Sequence, residues 1–167
     1  DLRRQRQMCI RDSIGPYDVN REGSSDMYSK GANLLHTIRQ IADDDEKWRK
    51  TLRGLNKTFF HKTVTTTEIE NFISKSLNID LSSVFDQYLR DIRVPVLEYE
   101  INDGFLKYRW NNVIENFTMP VKIIINETPL LINPTKNYKK IAFYSNKLIV
   151  DKNFYVFSKD ISKKEGF

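Results

Sequence analysis

Apolar residues recur at intervals of three and four between residues 26 and 93, the spacing of amphipathic helices with one buried face. Four helices are predicted there. Polar residues that can cap a first turn precede each of them: Ser24, Ser25 and Asp26, then Asp43 to Asp45, then Thr65, then Asp80. The first set places Tyr28 in the first turn of the first helix. Glu68 follows Thr65 at the spacing of a capping box, which supports the third helix.

The period of the apolar positions changes to two beyond residue 94, which is typical of strands with one buried face. The dipeptide Asp103-Gly104 favours a two-residue hairpin turn. That turn sets Ile101 opposite Leu106. It also sets Glu100 opposite Lys107, so apolar side chains pair with apolar ones and an acid pairs with a base.

Turn residues separate five further short apolar runs, which are predicted strands: Met119 to Asn126, Pro129 to Ile132, Lys139 to Tyr144, Lys147 to Val150 and Phe154 to Phe157. Seven short strands favour an antiparallel β-sandwich. The predicted fold class is therefore α+β, with a helical part over residues 1–93 and a β-sandwich over residues 94–167. Residues 1–14 are interpreted as the end of a helix and residues 15–25 as a loop.

The composition is that of a globular chain, since 40% of the 167 residues are apolar and 12% are aromatic. No apolar run reaches the roughly eighteen residues of a membrane-spanning helix, so no span is predicted. The single cysteine, Cys9, excludes a disulfide within the chain. The net charge of +5 does not predict nucleic-acid binding, because lysines and arginines alternate with acidic residues along most of the sequence.

The segment Tyr28 to Ala32 reads Tyr-Ser-Lys-Gly-Ala, and Leu-Leu-His-Thr-Ile-Arg follows at 34–39. This stretch resembles the helix after the zinc site in aminopeptidase-N-like metallopeptidases of the gluzincin family. Later segments resemble the next helices of that family and its entry into a β-domain, in the same order and at similar spacing: Asp44 to Trp48, Thr65 to Glu68, Asp80 to Leu89, and Val94 to Leu97.

The resemblance implies that the helices form the C-terminal half of a thermolysin-like catalytic domain and that a small β-sandwich follows. It implies a zinc-dependent aminopeptidase that hydrolyses the N-terminal bond of a peptide substrate. Tyr28 matches the tyrosine that, in this family, donates a hydrogen bond to the oxyanion. A phenol suits that role because its pKa of about 10 keeps the proton in place at neutral pH.

No metal ligand is predicted within the chain. A gluzincin site needs two histidines one helical turn apart, a glutamate base and a third ligand. The two histidines, His36 and His61, are too far apart in sequence to share one turn. We therefore expect the C-terminal part of a longer protein, with the zinc ligands upstream of Asp1. The isolated chain is expected to be zinc-free and inactive, and to self-associate through its truncated surface. The compartment of the whole protein stays open.

Two alternatives stay open. The first is a non-catalytic module whose β-sandwich binds a protein or glycan and whose helices are scaffold. The second, nucleic-acid binding, ranks last and requires basic residues clustered on one face. The position of Tyr28 distinguishes the enzyme from the non-catalytic module. Tyr28 on an open concave face supports the enzyme, and Tyr28 sealed in a core supports the module. Lys30 is expected to point away from Tyr28, and Gly31 to let two helices approach closely.

Overall fold

A computed structural model describes residues 26–145 and 147–162 of the chain. Those residues form four helices followed by seven strands: α1 (Asp26–Ala42), α2 (Asp45–Phe59), α3 (Thr66–Leu77), α4 (Ser82–Leu89), β1 (Val96–Asn102), β2 (Phe105–Asn111), β3 (Val121–Ile125), β4 (Thr128–Ile132), β5 (Lys139–Ala142), β6 (Ile149–Val150) and β7 (Phe157–Asp160). The predicted helix end and loop before residue 26, and Cys9 with them, lie outside the described residues.

The helix starts follow the capping signals in the sequence. The predicted capping box of α3 is confirmed, since the Thr65 hydroxyl accepts from the Glu68 amide and the Glu68 carboxylate accepts from the Thr65 amide. The Asp44 carboxylate accepts from the Lys47 amide and caps α2. Helix α4 begins at Ser82, two residues after Asp80, because the Asp80 carboxylate accepts from the Ser82 amide and forms a turn ahead of the helix.

The strands form two sheets, with the orders β5-β2-β1-β7 and β4-β3-β6. The predicted β1–β2 register is confirmed, with Ile101 opposite Leu106 and Glu100 opposite Lys107. The prediction of wholly antiparallel sheets is wrong for β7, which pairs parallel to β1. It reaches β1 from the other sheet through a connection instead of a hairpin, so no tight turn dictates its direction. The last strand also begins at Phe157, where the predicted one ended.

One hydrophobic cluster joins the helices to the sheets. It includes Ile38 of α1, Leu77 of α3, Trp110 of β2 and Ile123 of β3, each at most 1% exposed. Residues from both sides of the predicted boundary at Val94 therefore share this cluster, and the division into residues 1–93 and 94–167 stays a prediction.

Polar contacts fix α1 and α4 to the segment that leads into β7. The Tyr88 hydroxyl donates to the Tyr155 carbonyl oxygen at 2.7 Å, and the Tyr155 amide donates to the Thr37 hydroxyl at 3.0 Å. His36 Nε2 lies 3.2 Å from Asn153 Oδ1. Burial raises the pKa of the Tyr88 phenol well above its usual value, so this group is a neutral donor. Residues far apart in sequence thus fix the position of α1 relative to the segment that leads into β7.

The variant Tyr88→Phe tests this link between helix and strand. It removes the hydroxyl that donates to the part-buried Tyr155 carbonyl, so we expect the free energy of unfolding to fall by about 1–3 kcal/mol in urea titrations. The control is Tyr108→Phe, because the described residues provide no hydrogen-bond partner for that hydroxyl; this variant should change stability by less than about 0.5 kcal/mol. Equal losses in the two variants would contradict a role for the Tyr88 hydroxyl.

Candidate active site

Tyr28 stands in the first turn of α1 with 64% of its surface exposed. It is therefore not sealed in the core. Among the described residues, one surface cavity lies between α4 and the loops around Met119 and Pro134, and another lies at the β1–β2 turn beside Phe105. Tyr28 lines neither of them. Among the described residues, its side chain therefore lies on an open surface at the edge of the helical layer.

Lys30, two residues after Tyr28, lies about 200° around the helix from it and is 8% exposed. Its Nζ donates to the main-chain oxygen of Asp91 at 2.8 Å. The prediction that Lys30 points away from Tyr28 is confirmed.

The close helix approach predicted at Gly31 is not found among the described residues. A Cβ at Gly31 would meet no described atom within 4 Å, so no described element approaches α1 closely there. The apolar contacts of the buried face of α1 begin one turn later, at Leu34.

The segment between α4 and β1 is held by charged and amide side chains. Arg93 donates from Nε to Asp91 Oδ1 at 2.9 Å and from Nη2 to Oδ2 at 2.8 Å, which makes a bidentate pair. Its Nη1 donates to the Val113 carbonyl at 3.0 Å. The hydrogen bonds from Arg93 are the largest cause of the lowered pKa of Asp91, and the nearby Lys30 ammonium adds to it. The same pairing raises the pKa of Arg93.

Gln87 of α4 fixes this segment from the other side. Its side chain is fully buried, its Nε2 donates to the Arg93 carbonyl at 2.8 Å, and its Oε1 accepts from the Ile114 amide at 2.8 Å. Sequence reasoning missed Asp91, Arg93 and Gln87. The Asp-x-Arg spacing could have suggested the local pair, but nothing in the sequence connects it to Lys30.

The described residues do not fit the zinc site that the resemblance implies for the whole protein. They contain no group of three or more His, Cys, Asp or Glu side chains placed to hold a metal ion. His36 is engaged with Asn153, while His61 lies in an exposed turn with its ring centroid 4.1 Å from that of Phe60.

Two basic side chains on the outer face of the four-stranded sheet are paired with acids. Arg109 contacts Glu98 at 2.8 Å and Lys107 contacts Glu100 at 3.7 Å across β1 and β2. Both cations also lie 4.4 Å from the centre of the Tyr138 ring. This face therefore carries mixed charge, and the absence of nucleic-acid binding stays a prediction. Among the described helices none is long and apolar enough to cross a membrane.

Comparison with known proteins gives a fold. No protein-family model and no curated protein matches the sequence. The crystal structure of Legionella pneumophila aminopeptidase A in complex with aspartic acid is similar, with a TM-score of 0.62 and 18% identity over 81% of this chain. The fold is aminopeptidase-like. The match covers 18% of the Legionella chain, so this chain corresponds to less than a fifth of that protein's length.

The acid stability of the chain tests the Asp91–Arg93 pair. The pKa of Asp91 is lower in the folded state than its ordinary value of about 3.9, so the pair stabilises fully above about pH 4. That stabilisation is lost as the pH falls through the lower folded-state pKa. The free energy of unfolding of the wild type should exceed that of Asp91→Asn by up to about 1 kcal/mol at pH 7, and this difference should shrink below pH 4. Urea titrations at several pH values measure it.

Glu127→Gln, which removes an exposed carboxylate, is the control and should differ little from wild type throughout this range. A difference between wild type and Asp91→Asn that stays constant down to pH 2 would refute the ion-pair origin of the stabilisation.

Proposed function

We propose that this chain is the C-terminal part of a zinc-dependent aminopeptidase of the aminopeptidase-N-like, gluzincin type. Its helices complete a thermolysin-like catalytic domain, and its sheets form the β-sandwich behind it. The whole protein hydrolyses the N-terminal bond of a peptide substrate. One observation carries the proposal: an exposed Tyr28 in the first turn of α1, within Tyr-Ser-Lys-Gly, on a fold similar to an aminopeptidase over 81% of the chain.

The part played by this chain in the reaction is to donate a hydrogen bond. When water adds to the scissile carbonyl, the electron pair of the C=O bond moves onto oxygen and negative charge develops there. A phenol already in position donates to that oxygen more strongly in the transition state than in the ground state. Tyr28 keeps its proton throughout, so its role is electrostatic stabilisation of the oxyanion.

The catalytic zinc in this proposal is held by residues outside the described part of the chain, which does not fit a zinc site. This chain supplies the phenol and the framework that holds it. The exposure of Tyr28 agrees with that division, because the other half of the active site has to close over the hydroxyl and exclude water before the hydrogen bond reaches full strength. The isolated chain is accordingly expected to be inactive.

A Tyr28 sealed in a core would have supported the non-catalytic module, and a Tyr28 on an open concave face would have supported the enzyme. With 64% of its surface exposed, Tyr28 is not sealed in a core. The enzyme is therefore the better supported function.

The test is Tyr28→Phe in the whole protein, which removes the hydroxyl and keeps the ring. We expect kcat to fall about 10²- to 10³-fold, equivalent to roughly 2.7–4 kcal/mol of transition-state stabilisation. KM should stay nearly constant because the ground-state carbonyl carries little charge. Zinc content should also be unchanged. Steady-state kinetics with an aminoacyl substrate and metal analysis of the purified enzyme give these quantities.

Tyr144→Phe is the matched control, because Tyr144 is 88% exposed and lies beside the β1–β2 turn. Its kcat should equal that of wild type. A Tyr28→Phe enzyme within about threefold of wild type in kcat would end the catalytic assignment and leave Tyr28 a surface residue.

A further inference from the structure

We infer that Lys30 is a positioning residue for Tyr28: its contact with the Asp91 carbonyl orients the first turn of α1 and thereby places the phenol. This inference rests on the proposed function of Tyr28 and deepens it. Lys30 itself touches no reacting atom, because it lies on the opposite side of the helix from Tyr28.

The first turn of α1 needs such a restraint. The amides of a first helical turn have no partners within the helix, so this is the part of a helix that opens most readily. Among the described side chains from Tyr28 to Asn33, Lys30 alone is buried. The contacts that hold the middle of α1, such as the one between Thr37 and the Tyr155 amide, lie two turns further along.

The acceptor of the Lys30 contact is itself held on several sides. The Asp91 side chain is paired with Arg93 through both carboxylate oxygens. Arg93 in turn reaches the Val113 carbonyl, and the Arg93 carbonyl accepts from buried Gln87. Lys30 thus joins the start of α1 to a segment that other contacts already fix, which makes the contact suitable for setting an orientation.

Small rotations at this turn matter for a hydrogen bond to an oxyanion. A rotation of about 10° about the helix axis moves a side-chain tip by about 1 Å, given a helix radius of about 5–6 Å with side chains. A misplacement of that size can cost about 10²-fold in rate. Because Lys30 and Tyr28 are only two residues apart at the start of α1, loss of the Lys30 contact changes the position of the hydroxyl directly.

The experiment is a double-mutant cycle in the whole protein. Lys30→Met keeps the length and the apolar stem and removes the ammonium. Lys47→Met is the matched control, because Lys47 also donates from a part-buried ammonium to a main-chain carbonyl, that of Leu77, away from Tyr28. We expect Lys30→Met to lower kcat ten- to a hundredfold and Lys47→Met to lower it less than threefold, at similar losses of stability.

The cycle shows whether Lys30 acts through the hydroxyl. In the Tyr28→Phe background, Lys30→Met should lower kcat by less than about twofold further, because the interaction it positions is already gone. Hydrogen exchange provides a readout independent of activity. The amides of residues 30–33, which bond to the carbonyls of the first turn of α1, should exchange faster in Lys30→Met and at the wild-type rate in Lys47→Met. If Lys30→Met folds poorly, Asp91→Asn keeps the carbonyl acceptor and loosens its support, and should give a smaller loss with the same dependence on Tyr28.

Three results would overturn the inference. Lys30→Met and Lys47→Met could lower kcat equally, or Lys30→Met could lower kcat by the same factor with and without the Tyr28 hydroxyl. Either result refutes the positioning role and leaves the proposed function intact if Tyr28→Phe is itself slow. A Tyr28→Phe enzyme with normal kcat refutes the proposed function, and the positioning role fails with it because no hydroxyl remains to be placed.

Discussion

Burial of large apolar side chains between the helices and the two sheets holds the described structure together. Trp110, Tyr88 and Phe117 are each at most 1% exposed, and burying one such side chain contributes about 1.5–3 kcal/mol. Trp110 packs edge-on against Phe117 at 5.8 Å and donates its indole N–H to the Met119 carbonyl at 3.0 Å. The loop between β2 and β3 is thereby fixed to the core, and the helices rest on it.

This shared core gives α1 a defined place, and polar contacts then complete its orientation. Thr37 fixes the middle of the helix against the segment before β7, and Lys30 fixes its start against the segment before β1. The role proposed for Tyr28 requires a rigid element with its own supporting contacts. Tyr28 is exposed, yet Lys30, two residues later, attaches the start of α1 to the segment between α4 and β1.

Local interactions were predictable from the sequence because their partners lie close together along the chain. The capping box at Thr65 joins residues three apart, and the hairpin at Asp103 follows from one turn dipeptide and the alternation around it. Gly31 shows the limit of such reasoning, since a glycine on a helix permits a close approach without requiring one.

Long-range features could not be obtained in this way. Lys30 and Asp91 are 61 positions apart, and Thr37 and Tyr155 are 118 apart, so no periodicity in the sequence pairs them. Alternation identifies a strand but not its direction, which is why the parallel pairing of β7 was missed. Helical spacing also does not distinguish Tyr28 from the other tyrosines. The resemblance of Tyr-Ser-Lys-Gly to the family segment singled Tyr28 out. The structure adds that Tyr28 is exposed and that Lys30 contacts the Asp91 carbonyl.

A crystal structure of the whole protein with a phosphinic peptide, whose tetrahedral oxygen imitates the oxyanion, tests the central claim most directly. The account requires the Tyr28 hydroxyl to lie about 2.7–3.1 Å from that oxygen, with Lys30 still bonded to the Asp91 carbonyl. A complex in which the inhibitor oxygen is bound by other groups, with the Tyr28 hydroxyl beyond hydrogen-bonding distance, would contradict it.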